Sequence, residues 1–173
     1  MTAPFRNLTL LAHIIFSVGW LGAVAGFLSL AVTGVTSKNA LIIRATYLAM
    51  EPVTWWVIVP LAFAALLTGL LLSLGTKWGM FDHYWILAKL LINLVSIILL
   101  LLHTQAIDHM ARAAANAAIS KADLDGPGVK LVDVSIAALI ALLVATALSV
   151  YKPRGLTRYG WRKQYNKPRE PNS

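Results

Sequence analysis

Four ionisable side chains stand inside, or at the edge of, stretches apolar enough to lie in a bilayer: His13, Lys89 and His103, with Glu51 at a boundary. An ionisable group in hydrocarbon costs several kcal/mol unless it finds partners, so each marks a place where chemistry is expected. Imidazole moves protons or ligates metals near neutral pH. A buried ammonium is an acid, or a counter-charge for an anionic ligand.

The stretch around Lys89 is the most informative. At about 100° per residue, Lys89, Asn93, Ser96 and His103 fall on one narrow face of a Leu/Ile/Val helix, a polar stripe of about 21 Å. Lipid offers those groups no hydrogen bonds, so the stripe is expected to face the interior of a bundle. For Asn93 and Ser96 a plainer role is open, bonding across to a neighbouring helix. In the first apolar stretch His13, Ser17 and Trp20 share a face. Gly19, Gly22 and Gly26 lie roughly opposite, where small residues suit close helix packing. His13 sits about 7 to 8 Å into its span, and Lys89 about as deep from the same side. The two are therefore expected to line one pocket, with Thr68 and with Ser149 or Tyr151.

A second constellation gathers at the other boundary: Glu51, Trp55, Trp56 and His103, then Asp108 and His109, with the thioethers of Met50 and Met110. A carboxylate beside imidazoles makes a proton-handling pair or a site for a soft metal such as copper, with His103 and Glu51 as its ligands. The tryptophans equally suit an interfacial belt.

The elements that must position these groups follow from composition. Of 173 residues, 58% are hydrophobic and 13% charged. A soluble domain of this length cannot bury that much apolar surface. There is no Cys, which excludes disulfides and thiolate metal sites. A helix needs about 20 apolar residues to cross a bilayer, and four stretches qualify: about 8–35, 53–74, 84–104 and 134–151. The fold expected is all-α, a single four-helix transmembrane bundle. Pro52 suits the first turn of the second span, and Pro60 should kink it and free a carbonyl. Residues 41–51 read as helix, either on the surface or extending the second span. The Ala-rich run after Gln105 continues the third helix until Gly126-Pro127-Gly128 breaks it. The first span is too long for the core of a cleaved signal peptide and serves as the insertion signal.

The formal charge of +8 lies mostly in the tail YKPRGLTRYGWRKQYNKPREPNS, directly after the last apolar run. That placement points to anionic lipid rather than nucleic acid, and orients both termini toward the cytoplasm. The location it implies is multi-pass in a bacterial inner (plasma) membrane.

Three passages, LLAHIIFSVGWLGAVAGFLSL, PLAFAALLTGLLLSLG and HYWILAKLLINLVSIILLLLHT, resemble uncharacterised bacterial four-span membrane proteins. More distantly they resemble HemJ-type protoporphyrinogen oxidases and the copper-resistance D family. The likeness ends at about His103. Likeness to HemJ implies His13 in contact with haem b or a porphyrin and Lys89 as the essential lysine of a W-x-x-x-K element. Pro60 and Gly69 match that family's Pro-to-Gly spacing, whereas its Arg-Arg element before the proline has no counterpart here. A haem at His13, with Ser17 and Asn93 nearby, leaves the sixth position open or filled by His83. His103 lies too far along the bundle to share the iron. Three functions are consistent with the residues: a haem or porphyrin redox protein, a membrane scaffold or accessory subunit, and a copper or proton transporter that needs a second copy of itself.

Overall fold

The computed structural model describes residues 2–75, 84–116 and 121–151. They form four long helices: α1 (Ala3–Thr36), α2 (Ala40–Gly75), α3 (Tyr84–Ala115) and α4 (Lys121–Tyr151). Each contains a stretch long and apolar enough to cross a bilayer, so the chain is a multi-pass membrane protein with an all-α, four-helix bundle fold. The helices exceed the apolar spans. At about 1.5 Å per residue, the 34 residues of α1 outrun the roughly 30 Å of hydrocarbon.

Local chemistry sets several ends. Pro4 occupies the first turn of α1, where its missing N–H costs nothing. Asn39 caps α2 by accepting the Leu41 N–H at 2.9 Å. Arg44 donates to the carbonyls of Ala114 (2.8 Å) and Ala115 (3.1 Å), so a cation closes the negative end of α3. Residues 41–51 therefore extend the second span rather than lie on the surface.

In cross-section, α1 packs on α2 and α4, and α3 packs on the same two. This leaves α1 facing α3 across the axis, and α2 facing α4. Each helix turns a seam of alternating three- and four-residue steps inward, the repeat of left-handed helix packing. In α1 the seam is His13, Ser17, Trp20, Val24, Phe27, Ala31 and Gly34; all from Trp20 onward are buried. In α4 it is Gly128, Leu131, Ser135, Ala138, Leu142, Ala145 and Ser149.

The seam of α2 contains one residue too many. It passes Met50, Thr54, Ile58 and Ala62 in three successive four-residue steps before Ala65. A π-helical turn over Thr54–Ile58 absorbs the excess, with the Val59 N–H reaching back five residues to the Thr54 carbonyl. Two expectations change here. Pro52 lies inside a continuous helix that starts at Ala40, not in its first turn. Pro60 does not simply kink the helix: it follows directly on the wide turn, and since its nitrogen has no proton, Trp55 and Trp56 are short of one backbone donor.

Gly126-Pro127-Gly128 also departs from expectation. α3 ends at Ala115, well before it, and α4 runs through all three residues. The reason is tertiary. Tyr47 is 1% exposed, and its ring sits between two glycines. A Cβ at Gly34 would come within 2.9 Å of Tyr47 Cζ, and one at Gly128 would collide with the Tyr47 hydroxyl. Packing of the aromatic ring overrides the local breaker signal. The face carrying Gly22 and Gly26, expected to serve close packing, points out of the bundle, with nothing within 4 Å of where either Cβ would stand. Their separation from the His13–Trp20 face already turns them away from both neighbours.

Candidate functional site

The two ends of the bundle differ in kind. In the distal half, around Gly34, Tyr47 and Ala114, the axis is filled: Tyr47, Met50, Met110 and Thr54 are the largest fully buried side chains. In the half where α1 begins, the seams carry His13, Ser17, Thr68, Lys89, Asn93 and Ser149, all half-buried. Trp20, 3% exposed, lies on the α1 seam between the two regions.

His13 is fixed by α2. Its Nδ1 lies 3.1 Å from the Ala65 carbonyl oxygen and 3.1 Å from Thr68 Oγ1. A carbonyl only accepts. The Thr68 hydroxyl spends its one proton on the Ala64 carbonyl at 2.7 Å, so its oxygen also accepts from the ring. Nδ1 must therefore carry the proton and donate to both. In the neutral ring the lone pair is then on Nε2, the tautomer that a histidine adopts when Nε2 serves as ligand or base. Space for the ring comes from Gly69, where a Cβ would stand 3.1 Å from His13 Cε1. Because the wide turn keeps Ala65 and Gly69 on the seam, the sequence anomaly in α2 is tied to the site.

Lys89 is held from the opposite corner. Its ammonium donates to Ser149 Oγ at 3.2 Å and stands 4.7 Å from the centroid of the Trp85 ring, a cation–π contact from one turn back. It is near enough to His13 for its charge to act on the imidazole. Imidazole and ammonium are thus close enough to interact, the first bonded to Thr68 and the second to Ser149. Tyr151, the alternative to Ser149, is 83% exposed and turned away. No family model, curated protein or solved structure matches this chain.

Asn93 stands one turn beyond Lys89 on the α3 seam, and Ser17 one turn beyond His13 on α1. The side chains of Ser17, Asn93 and Ser96 form no hydrogen bond with any described residue. All three are only half-buried, so their polar atoms remain within reach of a ligand or water.

The second constellation does not assemble as expected. His103 donates through Nδ1 to the Leu99 carbonyl of its own helix at 2.7 Å. The Trp55 indole N–H goes instead to Asp108 Oδ1, 3.0 Å away. Among the described residues no three His, Cys, Asp or Glu side chains gather as a metal site. His83 and the basic tail lie outside the described residues. The wide turn and the Tyr47 slot were missed by sequence reasoning. Pro52 and Pro60 on either side of a Trp pair were the available signal for the first.

Proposed function

We propose that the chamber between α1 and α3 holds a flat, carboxylate-bearing cofactor of the porphyrin class, haem b or its metal-free parent. The protein is then a redox component of a bacterial inner membrane, with the chamber on the cytoplasmic side. The observation that carries this reading is the His13 ring, fixed with Nδ1–H on a backbone carbonyl and Nε2 left as the lone-pair atom, within the field of Lys89.

The donor chemistry of these side chains supports that reading. His13 would ligate its iron through Nε2, the Ala65 carbonyl raising the basicity of the ring as second partners of ligating histidines do. Lys89 would pair a propionate, steered by Ser149 and by the Trp85 face. Asn93 and Ser17 would donate to the cofactor's polar edge. When bound, haem would supply one-electron chemistry, with His13 holding it. The chain's own task is to bind and orient the macrocycle, keep bulk water out through the filled distal half, and hold a proton at Nδ1.

Transport along the Lys89–His103 stripe has less support. Beyond Ser96 the axis is occupied by Ile97, Thr104, Met110 and their buried neighbours, and His103 is bonded to its own helix. For a scaffold, an inward-facing ammonium would be a cost with no return.

The experiment is a hemin titration of the purified protein in nanodiscs, followed by absorbance. A saturable Soret shift at one equivalent, lost in His13→Ala and weakened several-fold in Lys89→Met, is expected. A spectrum no different from hemin in empty nanodiscs would end the proposal.

A further inference from the structure

A second site lies on the outer surface of α2, at the wide turn and away from His13. Glu51, Pro52, Trp55 and Trp56 line an open cleft of about 510 Å³. Trp56 is 81% exposed and Trp55 42%. Trp55 is held by its bond to Asp108, so a second carboxylate stands behind the indole.

Three features decide what such a cleft would take. The first is charge. Glu51 and Asp108 form no ion pair among the described residues, and Arg44, two turns back, is engaged with the end of α3. Carboxylates beside open indole faces select an ammonium group. The second is a donor. The Trp56 indole N–H makes no hydrogen bond with any described residue, so it is available to a phosphate oxygen. The third is the track below the cleft. Trp56, Pro60, Phe63 and Leu67 follow at four-, three- and four-residue steps, all exposed, an apolar ridge turned toward acyl chains.

Ammonium, phosphate and acyl chain in that order describe one kind of molecule. We propose that the Glu51–Trp55–Trp56 cleft is a headgroup site for a phospholipid carrying a primary ammonium, of the phosphatidylethanolamine type. Glu51 pairs the ammonium, the indoles cover it, and the Trp56 N–H meets the phosphate.

The test uses the full chain in nanodiscs of equimolar phosphatidylethanolamine and phosphatidylcholine, equal in net charge and differing in the ammonium, released into native mass spectrometry. Wild-type protein should retain phosphatidylethanolamine in preference by roughly two- to fivefold, the size of one exposed hydrogen-bonded ion pair that a choline headgroup cannot form. Glu51→Gln and Trp56→Leu, both on exposed positions, should each lose most of that preference while leaving hemin binding unchanged. Equal retention of the two lipids by wild type, or an undiminished preference in Glu51→Gln, overturns the proposal. Neither result bears on the porphyrin chamber.

Discussion

Replacing Gly69 with Ala opposes two effects whose sizes can be set beforehand. A helical Gly→Ala change normally gains about 0.5–1 kcal/mol, because alanine has less freedom to lose on folding. At Gly69 the added Cβ would meet His13 Cε1 at 3.1 Å, and the ring must retreat by about 0.4 Å to reach ordinary contact. That retreat takes the two 3.1 Å bonds of Nδ1 to about 3.5 Å, the limit of a hydrogen bond. Leaving a half-buried ring N–H without partners costs about 1–3 kcal/mol. The control is Gly22→Ala, where nothing lies within 4 Å and only the gain applies. The two variants should therefore differ by about 1–3 kcal/mol, with Gly69→Ala the less stable. For a chain of this size that is a gap of roughly 2 to 12 °C in melting temperature. Thermal unfolding in one detergent, followed by tryptophan fluorescence, reads it directly. Equal melting temperatures would refute the claim that His13 rests against α2.

Three other outcomes follow from the packing. Gly34→Ala and Gly128→Ala should each destabilise by about 1–3 kcal/mol through overpacking against Tyr47, and Tyr47→Phe should recover part of the Gly128→Ala loss because the hydroxyl is the atom struck; this is checked by the same unfolding assay. Lys89→Met should raise the melting temperature, since a desolvated charge is removed, while hemin affinity falls; a variant less stable than wild type counts against an inward ammonium. Deleting Val57 should convert the wide turn to ordinary α-helix and leave His13 facing Thr68, because the seam on either side keeps its phase. Hemin affinity within about twofold of wild type is expected (under 0.5 kcal/mol), and its loss would show that the wide turn itself is required.

Much of this arrangement was legible in the residues. Four apolar stretches of about 20 residues gave the bundle, since a helix satisfies its own backbone in lipid. Matching the depths of His13 and Lys89 led to Thr68 and Ser149 as their neighbours, and these are the hydroxyls the two side chains meet. Other features left no trace in composition. One surplus residue among Val, Ile, Leu and Trp does not alter an apolar run, so the wide turn appears only when the α2 seam is read against buried neighbours. Gly128 read as a breaker because its partner, Tyr47, is far away in sequence. His103 shares the angular position of Lys89, yet a histidine has the carbonyl four residues back within reach, and periodicity cannot tell that bond from one across the bundle.

The proposed ligand site depends on the protonation of a single ring, and that can be observed. In ¹⁵N solid-state NMR of histidine-labelled protein in lipid bilayers, with His13→Ala used for assignment, the neutral His13 ring should carry its proton on Nδ1. Its Nε2 should appear unprotonated and respond to hemin. A neutral His13 with the proton on Nε2 would contradict the hydrogen bonds to Ala65 and Thr68, and with them the ligand site built on that ring.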